Sequence, residues 1–168
     1  MFIFKEYNLN TLLDKKDFQN KGIKYLEKYP CCDKKNCTHP SLQSDNELWK
    51  DKDFYPIAEK IASLIFNHYQ KKFDLKMRMW VYFQEKDSIL DRYEWHNHYR
   101  NEGKEEFSFL IYLSNTDLGT LFKVNNDITI LKAKKNILYA WNSKYEHTPE
   151  PGKHPEDRVV LAGDCLLQ

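Results

Sequence analysis

Apolar and polar positions along this chain follow two different periods, and the change of period falls near residue 75. In the first part Leu12, Leu13, Phe18, Ile23 and Leu26 recur loosely at helical spacing, which predicts helix over 11–28. Tyr29-Pro30 ends that pattern, because proline lacks a backbone donor and restricts its predecessor. A polar loop is expected from there to about residue 50. Ile57, Ala58, Ile61, Ala62, Leu64, Ile65 and Tyr69 then return at steps of three and four, which puts one apolar stripe on a helix over 56–71. That stripe needs a sheet or a second helix to cover it.

Beyond residue 75 the texture becomes strand-like. The runs 77–83, 107–113, 119–124, 128–131, 137–141 and 158–165 are short, rich in β-branched and aromatic residues, and separated by Asn, Asp, Gly and Pro turns. Six such runs after a helical lead-in predict a mainly β fold with antiparallel sheets. The expected architecture is a double-stranded β-helix (jelly roll) over 75–168, with N-terminal supporting helices in an extension over 1–74 packed on that core.

Length and charge narrow the classes. A chain of 168 residues suffices for one core enclosing a small-molecule pocket, and is too short for two catalytic domains. With 26 basic and 25 acidic residues the net charge is +1, so no strong field favours nucleic acid or an anionic membrane as partner. No apolar run approaches the roughly 18 residues of a membrane helix, and the start has no basic region ahead of one. These features predict a soluble, cytoplasmic protein, the host cytoplasm being its place if it is viral or phage-encoded.

Four cysteines, at 31, 32, 37 and 165, do not resemble the framework of a secreted domain, so reduced thiols are expected. Cys32, Cys37 and His39 could bind zinc, but the usual paired spacing and an obvious fourth ligand are missing, and a turn with free thiols is the simpler reading. The chain has no Gly-rich phosphate loop, Gly-x-Ser-x-Gly elbow or Cys-x-x-Cys pair. Their absence weakens nucleotide-binding, serine-hydrolase and zinc-ribbon readings.

Candidate chemistry lies in three segments. In Tyr93-Glu94-Trp95-His96-Asn97-His98-Tyr99 an extended backbone turns His96 and His98 to one face, and paired neutral imidazoles suit a transition metal. Taken alone, His-x-His is a weak pattern. In the second segment Gly119, ahead of Thr120-Leu121-Phe122, allows a close backbone approach, although an ordinary hairpin explains it as well. The third runs from Asn136 through Trp141-Asn142-Ser143 and His147 to Arg158-Val159-Val160-Leu161. Arg158 opens an apolar strand, where a guanidinium is expensive without a carboxylate partner, and a ligand carboxylate gripped in bidentate fashion would resolve that cost.

The order of these segments resembles the iron(II)- and 2-oxoglutarate-dependent oxygenase superfamily, especially small hydroxylases similar to prolyl hydroxylases and their phage-encoded relatives. His96 matches the proximal histidine of that family and His98 stands at its acidic ligand. Gly119-Thr120 matches its turn, and Trp141-Asn142-Ser143 stands where the family has Phe-Pro-Ser. His147 matches the distal histidine, Pro151 a proline that often follows it, and Arg158 the arginine that binds the far carboxylate of 2-oxoglutarate. The resemblance covers roughly 77–166 and implies Fe(II) and 2-oxoglutarate as cofactor and co-substrate. It also implies His96, His98, His147 and Arg158 as the catalytic set, and hydroxylation of a peptide residue, an amino acid, a modified base or another small substrate.

Three departures qualify it. Asn136 replaces a glycine but tolerates the same left-handed backbone. Val160 replaces a serine that assists the arginine, so co-substrate binding would lean on Arg158 and a tyrosine. His98 replaces the acidic ligand, and three neutral imidazoles offset none of the metal's charge. Glu102 is the alternative third ligand, because His96-x-His98-x-x-x-Glu102 also resembles the first motif of cupins, without their flanking glycines. A non-catalytic metal-binding jelly roll and a three-histidine cupin-type dioxygenase are the competing classes, and Arg158 is the feature the second does not need. Tyr93 and Tyr112 are candidates to line the cofactor pocket, subject to strand parity.

Overall fold

The computed structural model describes residues 4–14, 17–31, 41–70, 73–91, 93–99, 106–125 and 127–167. It opens with β1 (Phe4–Asn8), α1 (Asn10–Leu13), α2 (Phe18–Lys28), β2 (Ser41–Gln43), a 3-10 turn at Leu48–Lys50 and α3 (Tyr55–Tyr69). Strands then dominate: β3 (Phe73–Gln84), β4 (Ile89–Leu90), β5 (Glu106–Tyr112), β6 (Thr120–Val124), β7 (Asp127–Leu131) and β8 (Ile137–Asn142). The chain ends in β9 (His147–Pro149), β10 (Gly152–Lys153) and β11 (Arg158–Leu167). All six expected runs form strands, within a few residues of their expected ends.

The expected helix over 11–28 is two helices. The second starts where the Asp17 carboxylate accepts the backbone N–H of Asn20 at 3.2 Å, which satisfies a donor that the first turn leaves open. Helix α3 carries its predicted stripe into the core, with Ile57, Ala58, Ile61 and Ile65 all fully buried. It begins on Pro56 in the first turn and ends on Gln70 in the left-handed conformation.

Six strands form the larger sheet in the order β1-β8-β5-β11-β3-β2, and three form a smaller one in the order β7-β6-β9. Strands β10 and β4 make a separate short pair. The result is a mainly β, multi-sheet architecture with helices, consistent with a fold like the double-stranded β-helix, and no closed barrel forms among the described residues. The N-terminal stretch does more than brace this core. Strand β1 pairs with β8 and β2 with β3, so both edges of the larger sheet come from the first 43 residues. Edge strands are held largely by main-chain bonds, which leave little trace in side-chain pattern.

Period-two alternation divides the larger sheet into two faces. Met77, Met79, Val81, Phe109, Ile111, Leu138, Ala140, Val159 and Leu161 face the helices in one core. Leu110, Tyr112, Tyr139, Trp141 and Val160 face the smaller sheet and meet Phe122 and Leu131 in a second. Arg158 shares the parity of Val160, so the register that builds the second core also turns the guanidinium between the sheets.

Replacing Ile61 by Ala is expected to cost about 2–5 kcal/mol, because α3 would lose its fully buried contact with the sheet. Urea unfolding followed by circular dichroism measures it, and a loss below about 1 kcal/mol would show that the helix is not a structural brace.

Candidate metal centre

Two segments far apart in sequence are joined by backbone before any side chain is considered. The backbone N–H of His96 donates to the carbonyl of His147 at 3.1 Å, and that of His147 donates to the carbonyl of His96 at 2.8 Å. This reciprocal antiparallel bridge brings the two side chains to one side. His98 follows two residues later, its N–H donating to the Ser143 carbonyl at 3.2 Å. One ring nitrogen from each of His96, His98 and His147 then falls within 4.8 Å of the others.

In all three rings the outward nitrogen is already engaged. His96 Nδ1 lies 2.7 Å from the Glu94 carbonyl and His147 Nδ1 lies 3.2 Å from that of Tyr145. His98 Nδ1 lies 2.7 Å from the Asp164 carboxylate. Carbonyl and carboxylate oxygens only accept, so each Nδ1 carries a proton and Nε2 is the nitrogen left over in each ring. Burial, reinforced by the other two rings, pushes His147 down to about 3, and burial also lowers His96. Both rings are therefore held in the neutral form that binds metals. Phe122 stacks on His147 with ring centroids 5.6 Å apart, and Trp141 meets it edge-on at 5.2 Å. Trp80 lies 5.4 Å from His98.

The three histidines border a cavity of about 550 Å³ that Arg158 also lines. Arg158 is 2% exposed, and one Nη donates to the Gly119 carbonyl at 2.8 Å. Its Nε and other Nη have no hydrogen-bond partner, and no ion pair involving Arg158 occurs among the described residues. The same Gly119 carbonyl also accepts the backbone N–H of Glu150 at 3.0 Å, and the glycine packs directly on the main chain: a Cβ there would sit 2.0 Å from the Leu131 carbonyl oxygen. Asn136 adopts the expected left-handed backbone with φ of 61°, and its amide donates to Asp14 at 2.6 Å.

Of the two tyrosines, Tyr112 is buried beside the arginine. Its ring centre lies 5.6 Å from the guanidinium, as does that of Tyr82, and its hydroxyl lies 2.7 Å from the Thr120 hydroxyl. Burial raises the Tyr112 phenol, against the opposing pull of Arg158. Tyr93 is 59% exposed and stacks on Trp95 with centroids 6.1 Å apart; neither Tyr93 nor Tyr112 is among the residues lining the cavity, whereas Tyr82 is. Glu102 and the group Cys32, Cys37 and His39 lie outside the described residues.

Sequence reasoning missed the partners of His98. Asp164 is 1% exposed, and it bonds both to His98 and to Arg78. Ser108 on β5 donates to it at 2.7 Å. The available signal was parity, since 158, 160, 162 and 164 share one face of β11 and an acidic residue on an inward face needs a partner.

No protein-family model matches the sequence, and no curated protein matches it. Solved structures share the fold. A prolyl-4-hydroxylase from Pseudomonas putida superposes with a TM-score of 0.68 at 11% identity, over 99% of this chain and 92% of that one. The viral collagen prolyl hydroxylase of Paramecium bursaria Chlorella virus-1, in complex with 2-oxoglutarate, gives 0.62 at 10% identity, over 98% and 96%. A non-heme alpha-ketoglutarate-dependent epimerase from nogalamycin biosynthesis gives 0.75 at 8% identity, over 97% and 77%. At these identities the superpositions show a shared fold, and within it this chain carries a histidine cluster suited to a metal ion.

Behind Arg158 lies His154, fully buried, with Nδ1 3.2 Å from the Thr116 hydroxyl. Burial, and then the Arg158 charge, push it down to about 4. An unfolded histidine titrates near 6.5, so between these values the unfolded chain binds more protons and stability falls as pH falls. The stability difference between wild type and His154→Gln is therefore expected to shrink from pH 7 to pH 4, by at most about 1.4 kcal/mol per pH unit. Urea unfolding across that range tests it, and a constant difference would show that the ring does not titrate on unfolding.

Proposed function

We propose that this chain is an iron(II)- and 2-oxoglutarate-dependent oxygenase with a double-stranded β-helix core, in which His96, His98 and His147 hold the metal and Arg158 binds the far carboxylate of the co-substrate. The observation that carries the reading is the pairing, within one cavity, of three clustered histidine ring nitrogens with a buried guanidinium whose remaining donors are open. A transition metal fits the first, because neutral imidazoles with anchored Nδ1–H groups are ready-made ligands. A dicarboxylate fits the second, because Arg158 has no anionic partner among the described residues.

Bound together, metal and keto acid supply oxygen activation: one atom of O2 enters succinate as the keto acid loses CO2, and the other oxidises the prime substrate. The protein's own part is placement. Arg158 orients the keto acid, Tyr112 and Thr120 pack beside the carboxylate site, and Phe122 and Trp141 keep water from the distal side of His147. The rest of the cavity lining, which includes Leu42, Gln43, Asn46, Trp80 and Tyr99, is where the prime substrate would bind. Its mixture of aromatic and amide side chains suits a peptide, an amino acid or another small polar molecule. A three-histidine centre alone also serves a dioxygenase that uses no keto acid, and the open donors of Arg158 favour the keto-acid reading over it.

Replacing His96 or His147 by Ala is expected to abolish stoichiometric iron binding while leaving the circular dichroism spectrum unchanged, and full iron occupancy in both variants would sink the metal assignment. Anaerobic titration of the iron-loaded protein with 2-oxoglutarate, followed by its charge-transfer absorbance, tests the other end. Arg158→Ala should keep iron and bind the keto acid roughly thirtyfold to several-thousandfold more weakly, the range that about 2–5 kcal/mol implies for a buried charge pair. Equal affinity in wild type and variant would remove Arg158 from the site.

A further inference from the structure

His98 differs from the other two histidines in what lies behind it. His96 and His147 set their Nδ1 against neutral main-chain carbonyls, whereas His98 meets a carboxylate. That carboxylate is fixed on every side. Asp164 Oδ1 accepts from His98 at 2.7 Å and from the Ser108 hydroxyl at 2.7 Å, and Oδ2 accepts from Arg78 at 2.9 Å. Ser108 is itself 2.8 Å from the Ser143 hydroxyl, and the Ser143 carbonyl receives the His98 backbone N–H. Residues from β3, β5, β11 and the turn after β8 thus converge on one imidazole.

We propose that Asp164, clamped by Arg78 and Ser108, is the positioning residue that makes His98 a metal ligand where a carboxylate would otherwise serve. This rests on the metal reading above. Asp164 can only accept, so it forces the proton of His98 onto Nδ1 and leaves the Nε2 lone pair for the metal. Its negative charge also strengthens that lone pair, which a neutral carbonyl does less. Arg78 balances the charge and holds the second oxygen, so the carboxylate can neither rotate away nor move forward to bind the metal itself. A purely structural role, as an ion pair joining β3 to β11, would require no particular tautomer at His98.

Nitrogen-15 spectra of the metal-free full-length protein report that tautomer directly. Wild type should show His98 protonated on Nδ1, and a proton on Nε2 would overturn the proposal whatever any variant does. In Asp164→Asn, Arg78 claims the amide oxygen and the amide N–H₂ faces His98, so its proton should move to Nε2 while His96 and His147 keep theirs on Nδ1. Cobalt(II) affinity, read from the visible absorption of the metal, should fall about 10- to 100-fold. In Arg78→Met/Asp164→Asn the amide oxygen is free to face Ser108 and His98, and the Nδ1 proton and most of the affinity should return. An unchanged tautomer and cobalt affinity in a folded Asp164→Asn protein would overturn the proposal alone. A wild type with the expected tautomer that binds neither cobalt(II) nor iron(II) would overturn the metal reading, and the ligand role of His98 with it.

Discussion

A guanidinium held between two sheets with no carboxylate paired to it among the described residues is the constraint around which the rest of the molecule is arranged. Arg158 opens β11, a strand hydrogen-bonded on one side to β3 and on the other to β5, so its backbone is as fixed as any in the fold. The protein offers it one carbonyl, from a glycine pressed against the main chain of β7, and two aromatic faces. Cation–π contacts and one hydrogen bond recover only part of what water would give a cation. The balance must come from the large apolar cores on both faces of the sheet, or from an anion that arrives from outside. Sites that bind are commonly built at such local expense.

The opposite end of the cavity has the contrary character. Three imidazoles are packed among Phe122, Trp141 and Trp80, and burial favours the neutral form of His96 and His147. A cation is wanted there and an anion at the other end. One strand governs both, because Arg158 and Asp164 lie on the same face of β11, about 20 Å apart at the rise of an extended chain. Asp164 is engaged by His98, Ser108 and Arg78 and not by Arg158, which is how the chain keeps opposite charges on one strand from cancelling each other.

Much of this was legible in the sequence. Runs rich in β-branched and aromatic residues marked the strands, and the stripe on α3 marked the face it buries. Arg158 stood out because a charge at the head of Val159-Val160-Leu161 contradicts its surroundings. His147 was legible only through its spacing from Asn136 and Arg158 and would have been unremarkable alone. Strands β1 and β2 were not legible, since each is short and is held at an edge by main-chain bonds. The contact between His98 and Asp164 spans 66 residues, and no local pattern carries it. Tyr93 shows how narrow the margin is: it lies three residues from His96, yet its ring points to solvent.

The bridge between His96 and His147 separates the shape of the centre from the identity of its side chains. Both residues are placed by their own peptide groups, donating and accepting in turn, and neither bond involves an imidazole. A metal entering here meets a scaffold already assembled, unlike small zinc domains, whose ligands come together only as the ion binds. Loading and unloading therefore need no refolding. A site whose outline is drawn by backbone also tolerates exchange of a donor: at position 98 a carboxylate can give way to an imidazole while the neighbouring positions stay where they were. On the proposed metal reading, His98 at that position is then a substitution within a fixed frame, not a different frame.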